Sequence, residues 1–334
     1  MSPLRSLAAS AALCLALAPI FPAQGFAEPR VVASIKPVHA LVAAVMEGVA
    51  TPELIVGGAA SPHAYALKPS QAQALEQADL IFWVGHELES FLEKPIETIG
   101  SGARAVELID AEGLVKLPFR EAGPFEAHGH DDHDEGEADH DAGHADEDHA
   151  ETAEDGHDHG KEGFDAHLWL DPLNAKAFVA AIGKALSESD PANAATYAAN
   201  VDSTNQRLDA LIDEVDTTLA PVRGKQFIVF HDAYQYFEKR FGIEAAGSVT
   251  VNPEVHPSAE RVAAIRDKVR DLQAVCAFSE PQFDSQLIDV VIEGTDARAA
   301  ALDPLGATLD DGPELYFELI RNLATSMRDC LEAH

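Results

Sequence analysis

The sequence predicts an α/β protein made of two parallel-sheet α/β lobes joined by one long, rigid helix. Three observations carry that prediction. Short apolar runs bounded by turn residues recur along the chain, and they are continuous rather than alternating, as in strands covered on both faces. Helical patterns lie between them, once before a His-rich tract and again after Gln226. Between the two series, Tyr197, Val201, Leu208, Leu211, Ile212, Val215 and Leu219 recur at helical spacing.

Taken in order, residues 1–27 read as a secretory signal, with Arg5 as the charged region, an apolar core over 7–21 and a small-residue cut site at Gly25-Phe26-Ala27. Cleavage is expected after Ala27. The apolar core is shorter than the roughly 20 residues of a spanning helix, and no later run approaches that length. The mature chain is therefore expected to be exported, with no membrane insertion. Cys14 lies inside the signal without the small residues that precede a lipidated cysteine. The remaining residues, about 307, are too many for one compact core and suggest two lobes.

The first lobe is expected over 28–123, with strands at 31–35, 54–56, 80–84 and 105–109 and helices at 38–47 and 69–77. A tract over 124–163 has almost no large apolar residues and is expected to be a disordered, acidic, His-rich loop. Closing so long an insertion is tolerable, because loop entropy grows by only about 0.6 kcal/mol per doubling. Residues 164–189 complete the first lobe. The linker helix is expected over 190–220, capped by Asp190 before Pro191 and about 40 Å long at about 1.5 Å per residue. A single rigid connector would restrict the lobes to small relative motions. The second lobe occupies 221–334, with strands at 227–230, 274–279 and 297–302 and helices at 232–241 and 258–272.

Charge narrows the function. The net charge is -34, and residues 121–165 hold 18 Asp and Glu against the single Lys161, which accounts for half of it. Clustered Lys and Arg are absent, so nucleic-acid binding is excluded. With Cys14 removed, Cys276 and Cys330 remain, an even count in an exported chain, and an oxidising compartment favours their pairing. A bridge closing about 55 residues contributes roughly 4 kcal/mol in the loop-entropy account. The alternative is two unrelated buried thiols. Two cysteines so far apart make a poor zinc site.

Histidine is where the chemistry concentrates. Of 15 histidines, eight (His128, His130, His133, His140, His144, His149, His157 and His159) alternate with Asp, Glu and Gly in the acidic tract and read as a low-affinity metal loop. His63, His167 and His231 instead stand singly in ordered-looking segments. His63 lies between a strand and a helix, His231 follows the strand at 227–230, and His167 opens His-Leu-Trp-Leu-Asp-Pro just after the tract. A solitary His is commonly a cap or a core residue. Placement at element ends facing a cleft favours ligands here, since α/β lobes hold their ligands at such loops. Three neutral imidazoles at about 2.0–2.1 Å suit zinc, whereas manganese wants more carboxylate oxygen. The fourth position is open between Asp303, water, and His39 after the first strand.

Several segments resemble those of the ZnuA family, the periplasmic zinc-binding components of bacterial ABC importers within the metal-specific class of solute-binding proteins. They are Ser34-Ile35-Lys36-Pro37, Ser61 through Ser70, His167-Leu168-Trp169-Leu170, Phe230-His231-Asp232-Ala233-Tyr234, Phe278 through Phe283 and Leu302-Asp303-Pro304-Leu305-Gly306. The resemblance runs in order from about residue 30 to the C-terminus. It implies two α/β lobes bridged by a long helix, with Zn2+ in the interlobe cleft at His63, His167 and His231, and it matches the His-rich loop and the late cysteine pair. It also implies a periplasmic monomer that serves a membrane permease and is not an enzyme. Some members place a Glu before the first histidine. Here Pro62 stands in that place and cannot ligate. Asp303 corresponds to a carboxylate ligand in manganese- and iron-selective relatives, which keeps a manganese- or iron-binding protein of the same class as the alternative. A periplasmic zinc hydrolase also uses three histidines and water, but no HExxH helix or other general-base motif accompanies these. A metal buffer without a permease is the third reading.

Overall fold

The structure, a computed structural model, describes residues 28–120, 125, 163–250 and 253–332. The expected signal peptide and the eight histidines of the acidic tract fall outside these residues. The first lobe runs β1 (Val31–Ile35), α1 (Lys36–Val45), β2 (Glu53–Val56), α2 (Pro69–Gln77), β3 (Leu80–Trp83), α3 (Ser90–Thr98) and β4 (Arg104–Glu107). After a 3-10 turn at Leu168–Leu170 come α4 (Pro172–Ser189) and α5 (Ala194–Leu219). The second lobe runs β5 (Phe227–His231), α6 (Gln235–Phe241), β6 (Gly247–Thr250), α7 (Ala259–Asp271), β7 (Cys276–Ser279), α8 (Gln286–Ile292), β8 (Arg298–Ala301) and α9 (Leu315–Glu332).

The two sheets have the same plan. Their strand orders are β2-β1-β3-β4 and β6-β5-β7-β8, and every pairing in each is parallel. The central strands β1 and β5 are buried at every residue. Helices cover both faces, which is why these strands read as unbroken apolar runs. Parallel order also puts the C-terminal ends of all strands of a sheet at one edge, where the connecting loops converge.

The long helix is present with a different start. Asp190 ends α4 rather than capping α5, and its carboxylate accepts from Asn193 Nδ2 (2.6 Å) and Tyr197 OH (2.9 Å). Residues 190–193 form a turn, and α5 begins only after Asn193. At 26 residues it spans about 39 Å. Tyr197, Leu208, Leu211, Val215 and Leu219 are buried along it. Opposite Val201, α4 carries Gly183; a Cβ there would overlap the Val201 side chain, so only glycine lets the helices approach this closely.

A continuous apolar core passes from one lobe into the other through α4, α5 and α9, and a smaller one lies around Ile228, Phe230, Val249, Ile265 and Ile288 of the second lobe. Polar bonds cross between the lobes as well. Trp169 Nε1 donates to Pro304 O (2.8 Å), Tyr316 OH donates to Trp169 O (2.7 Å), and Arg240 pairs with both oxygens of Asp171. A Cys276–Cys330 disulfide ties β7 to α9. Among the described residues, no helix is long and apolar enough to cross a membrane.

Candidate metal centre

His63, His167 and His231 come from three separate places and meet at one point. His63 lies in the loop between β2 and α2, where its backbone N–H donates to Ser61 Oγ (3.3 Å). His231 is the last residue of β5. His167 precedes the 3-10 turn whose following residue, Asp171, caps α4 by accepting from Leu173 N (2.8 Å). His231 is thus delivered by a strand end and His167 by the start of a turn that leads into a helix, whereas His63 comes from the middle of a loop.

The geometry is that of a nitrogen cage. Nε2 of His167 lies 3.3 Å from Nε2 of His63 and 3.1 Å from Nε2 of His231, and ligand atoms of all three lie within 4.8 Å of one another. A tetrahedral zinc with bonds of about 2.0–2.1 Å separates its nitrogens by about 3.3–3.4 Å. The cavity between the rings has a volume of about 10 Å3, room for one water-sized body. Trp169, Phe283, Pro304 and Leu305 contribute apolar walls.

Two carboxylates fix the tautomers. Nδ1 of His167 bonds Asp165 Oδ1 at 2.7 Å, and Nδ1 of His231 bonds Glu280 at 3.0 and 3.2 Å. A carboxylate only accepts, so each Nδ1 carries its proton and each neutral ring turns its Nε2 lone pair into the cage. Lone pairs facing one another at this distance repel, and a cation between them removes the conflict. Carboxylate–histidine pairs of this kind orient metal ligands and raise their basicity.

Protonation is set differently at the two ends. His63 is held well below its ordinary pKa, by burial first and then by the neighbouring imidazoles. At His231 burial also opposes charge, yet the Glu280 carboxylate outweighs it, assisted by Asp232 and Asp165, and the pKa is raised. Beyond His63 and His167, a cavity of about 330 Å3 is lined by Glu87, Asp165, Asp232 and Glu254, so the cage has an acidic neighbour. Arg120 pairs with Asp232 and Glu238 there.

The remaining expected residues lie elsewhere. Asp303 is outside the three-histidine group: Oδ1 accepts from Gln282 Nε2 (3.0 Å), Leu305 N (3.2 Å) and Gly306 N (2.9 Å), and Oδ2 from Ala307 N (2.6 Å). The turn that follows consumes it, with Gly306 at φ +69. His39 is buried in α1 and bonds Pro52 O at 3.0 Å, which makes it a packing residue. Asp165 and Glu280 had no assigned role from sequence, although Asp165 stands two positions before His167 and Glu280 lies in the Phe278–Phe283 segment.

Comparison with known proteins gives the family. Residues 31–330 match the ZnuA family, described as the periplasmic zinc-uptake complex component A. The chain is 58% identical over 304 residues to a high-affinity zinc uptake system protein ZnuA of Brucella abortus, covering 90% of this chain and 91% of that protein. It is 46% identical over 307 residues to the protein of that name from Paracoccus denitrificans, covering 91% and 92%. Among solved structures, a ZnuA crystal structure matches with TM-score 0.71 at 21% identity, covering 90% of this chain and 98% of that one. The solute-binding protein FpvC of Pseudomonas aeruginosa, in complex with Mn2+, matches with TM-score 0.72 at 18% identity, covering 91% and 99%, and shares the fold. With a family match over nearly the whole length and relatives far above the level of chance likeness, the chain belongs to the ZnuA family of periplasmic zinc-uptake components.

Proposed function

We propose that the protein captures Zn2+ in the periplasm at His63, His167 and His231 and delivers it to the membrane permease of an ABC importer, acting as a carrier and not as an enzyme. The observation that carries this reading is the cage itself, with Nε2 atoms 3.1 and 3.3 Å apart and Nδ1 protons held by Asp165 and Glu280. Zinc is the cargo. An all-imidazole donor set favours it over manganese, which prefers oxygen.

Delivery follows from the way the site is split. The ligands sit at the edges of two lobes joined by α5, so a small opening of the cleft separates His63 from His231 and dismantles the shell. The acidic tract with its eight histidines gathers zinc weakly and raises its concentration near the cleft. Competition titration against a chelator of known affinity tests the reading. One tight Zn2+ per chain is expected, and deletion of 124–163 should remove the weak sites while sparing the tight one. Tight binding that survives replacement of all three histidines by alanine would contradict it, as would zinc-limited growth indifferent to loss of the protein.

A further inference from the structure

The three imidazoles leave one tetrahedral position open. The wall facing the cavity contains Gln282, which follows Glu280 by two residues in the loop after β7. Its amide is half engaged: Nε2 donates to Asp303 Oδ1 at 3.0 Å, while Oε1 is buried and has no hydrogen-bond partner among the described residues. A buried carbonyl oxygen left unbonded carries a desolvation penalty, so an orphan of this kind beside an ion-sized cavity calls for an occupant. Its orientation is not arbitrary. A carboxylate only accepts, so Asp303 selects the NH2 end of the amide, and Asp303 is itself pinned by the backbone N–H groups of Leu305, Gly306 and Ala307.

We propose that Gln282 Oε1 is the fourth ligand of the bound Zn2+ and that Asp303 is the positioning residue that aims it. The space, about 10 Å3, is that of one water-sized body, and Gln282 lines it together with the three imidazoles, which puts the amide in the wall that a bound ion would face. The resulting shell has three imidazole nitrogens and one neutral amide oxygen. The carboxylate that manganese prefers is turned away, engaged four times by N–H donors, so Asp303 acts on the metal only through Gln282. A neutral fourth donor makes Gln282 a specificity-determining residue as well as a ligand.

This inference rests on the zinc-capture reading, and the test separates the two. Zinc and manganese affinities are measured by competition titration for the full-length protein and for Gln282→Leu, Gln282→Glu, Asp303→Asn and the Gln282→Leu/Asp303→Asn pair, with the unfolding midpoint of each apo form as a folding control. The zinc-loaded protein is also crystallised. Gln282→Leu should weaken zinc on the order of 10- to 100-fold. Asp303→Asn should weaken it in the same direction, yet add nothing to Gln282→Leu, since its effect passes through the amide. Gln282→Glu should narrow the zinc preference over manganese. The crystal should place Oε1 within bonding distance of the ion. Undiminished zinc affinity in Gln282→Leu overturns the proposal, and so does a water found between Oε1 and the ion. A full-length protein that takes up no zinc at all would bring down the underlying reading first.

Discussion

The two lobes share a strand order but contribute unequally to the metal. The second lobe offers His231 from the end of a buried central strand, with Glu280 holding Nδ1 and a disulfide tying β7 to α9 behind it. The first offers His63 from the 57–68 loop beside the edge strand β2, and no carboxylate holds its ring among the described residues. His167, braced by Asp165, stands 3.1 Å from His231 and completes a prebuilt pair. The difference teaches that the cage is half fixed and half adjustable. Under the proposed zinc capture, an ion would meet His167 and His231 already oriented by their carboxylates, and His63 is the ring without such a brace.

The largest effect expected from breaking this arrangement is at the shared ring. His167→Ala removes the imidazole that faces both others and should abolish tight, stoichiometric zinc uptake in a competition titration, whereas retention of the tight site would remove the basis for a three-ring cage. Next come the carboxylates that fix the prebuilt pair. Glu280→Gln and Asp165→Asn each free a tautomer and should lower zinc affinity on the order of 10- to 100-fold, measured by the same titration. An unchanged affinity in both would mean the tautomers are set some other way.

The lobes should also differ in how they lose stability. Cys330→Ser opens the Cys276–Cys330 bridge, which closes a sequence separation of 54, and should reduce unfolding free energy by roughly 2–4 kcal/mol in denaturant melts. A melt identical to the unmodified protein would show that the staple carries no weight.

The smallest and most diagnostic effect is in pH. His231 is raised above the ordinary imidazole value and His63 is depressed well below it, so as pH falls a proton enters at His231 before it enters at His63. Zinc and protons compete for the same lone pairs, so affinity falls with acidification, and its decline begins at the second-lobe end of the site. Imidazole NMR titration of the apo protein should show the His231 transition above about 6.5 and that of His63 below it. In Glu280→Gln the His231 transition should move down. The reverse order of titration would contradict the asymmetry.

Much of this was legible in the sequence because parallel α/β lobes write themselves plainly. Runs such as Val31–Ile35 and Phe227–His231 are continuous and apolar because both faces are covered, and the three histidines stand in or beside the loops that connect such elements. Less visible were elements with little apolar signal. β6, Gly247–Thr250, has Val249 as its one large apolar residue, and α3 carries Pro95 in its interior. The partners of the ligands were hidden for a different reason: Glu280 meets His231 and Gln282 meets Asp303 only after the sheet brings separate loops to one edge. Asp303 can be read in two ways from sequence. An aspartate at a strand end suits a ligand, but an aspartate followed by Pro304 and by Gly306 at φ +69 also suits a turn, and the turn takes its oxygens.

The central claim is that imidazoles from separate parts of the chain converge on one zinc ion, and X-ray absorption at the zinc edge of the protein loaded with one equivalent reads that shell most directly. Three imidazole nitrogens at about 2.0–2.1 Å and one oxygen are expected. A shell with fewer than three imidazoles, or one dominated by carboxylate oxygen, would contradict the account.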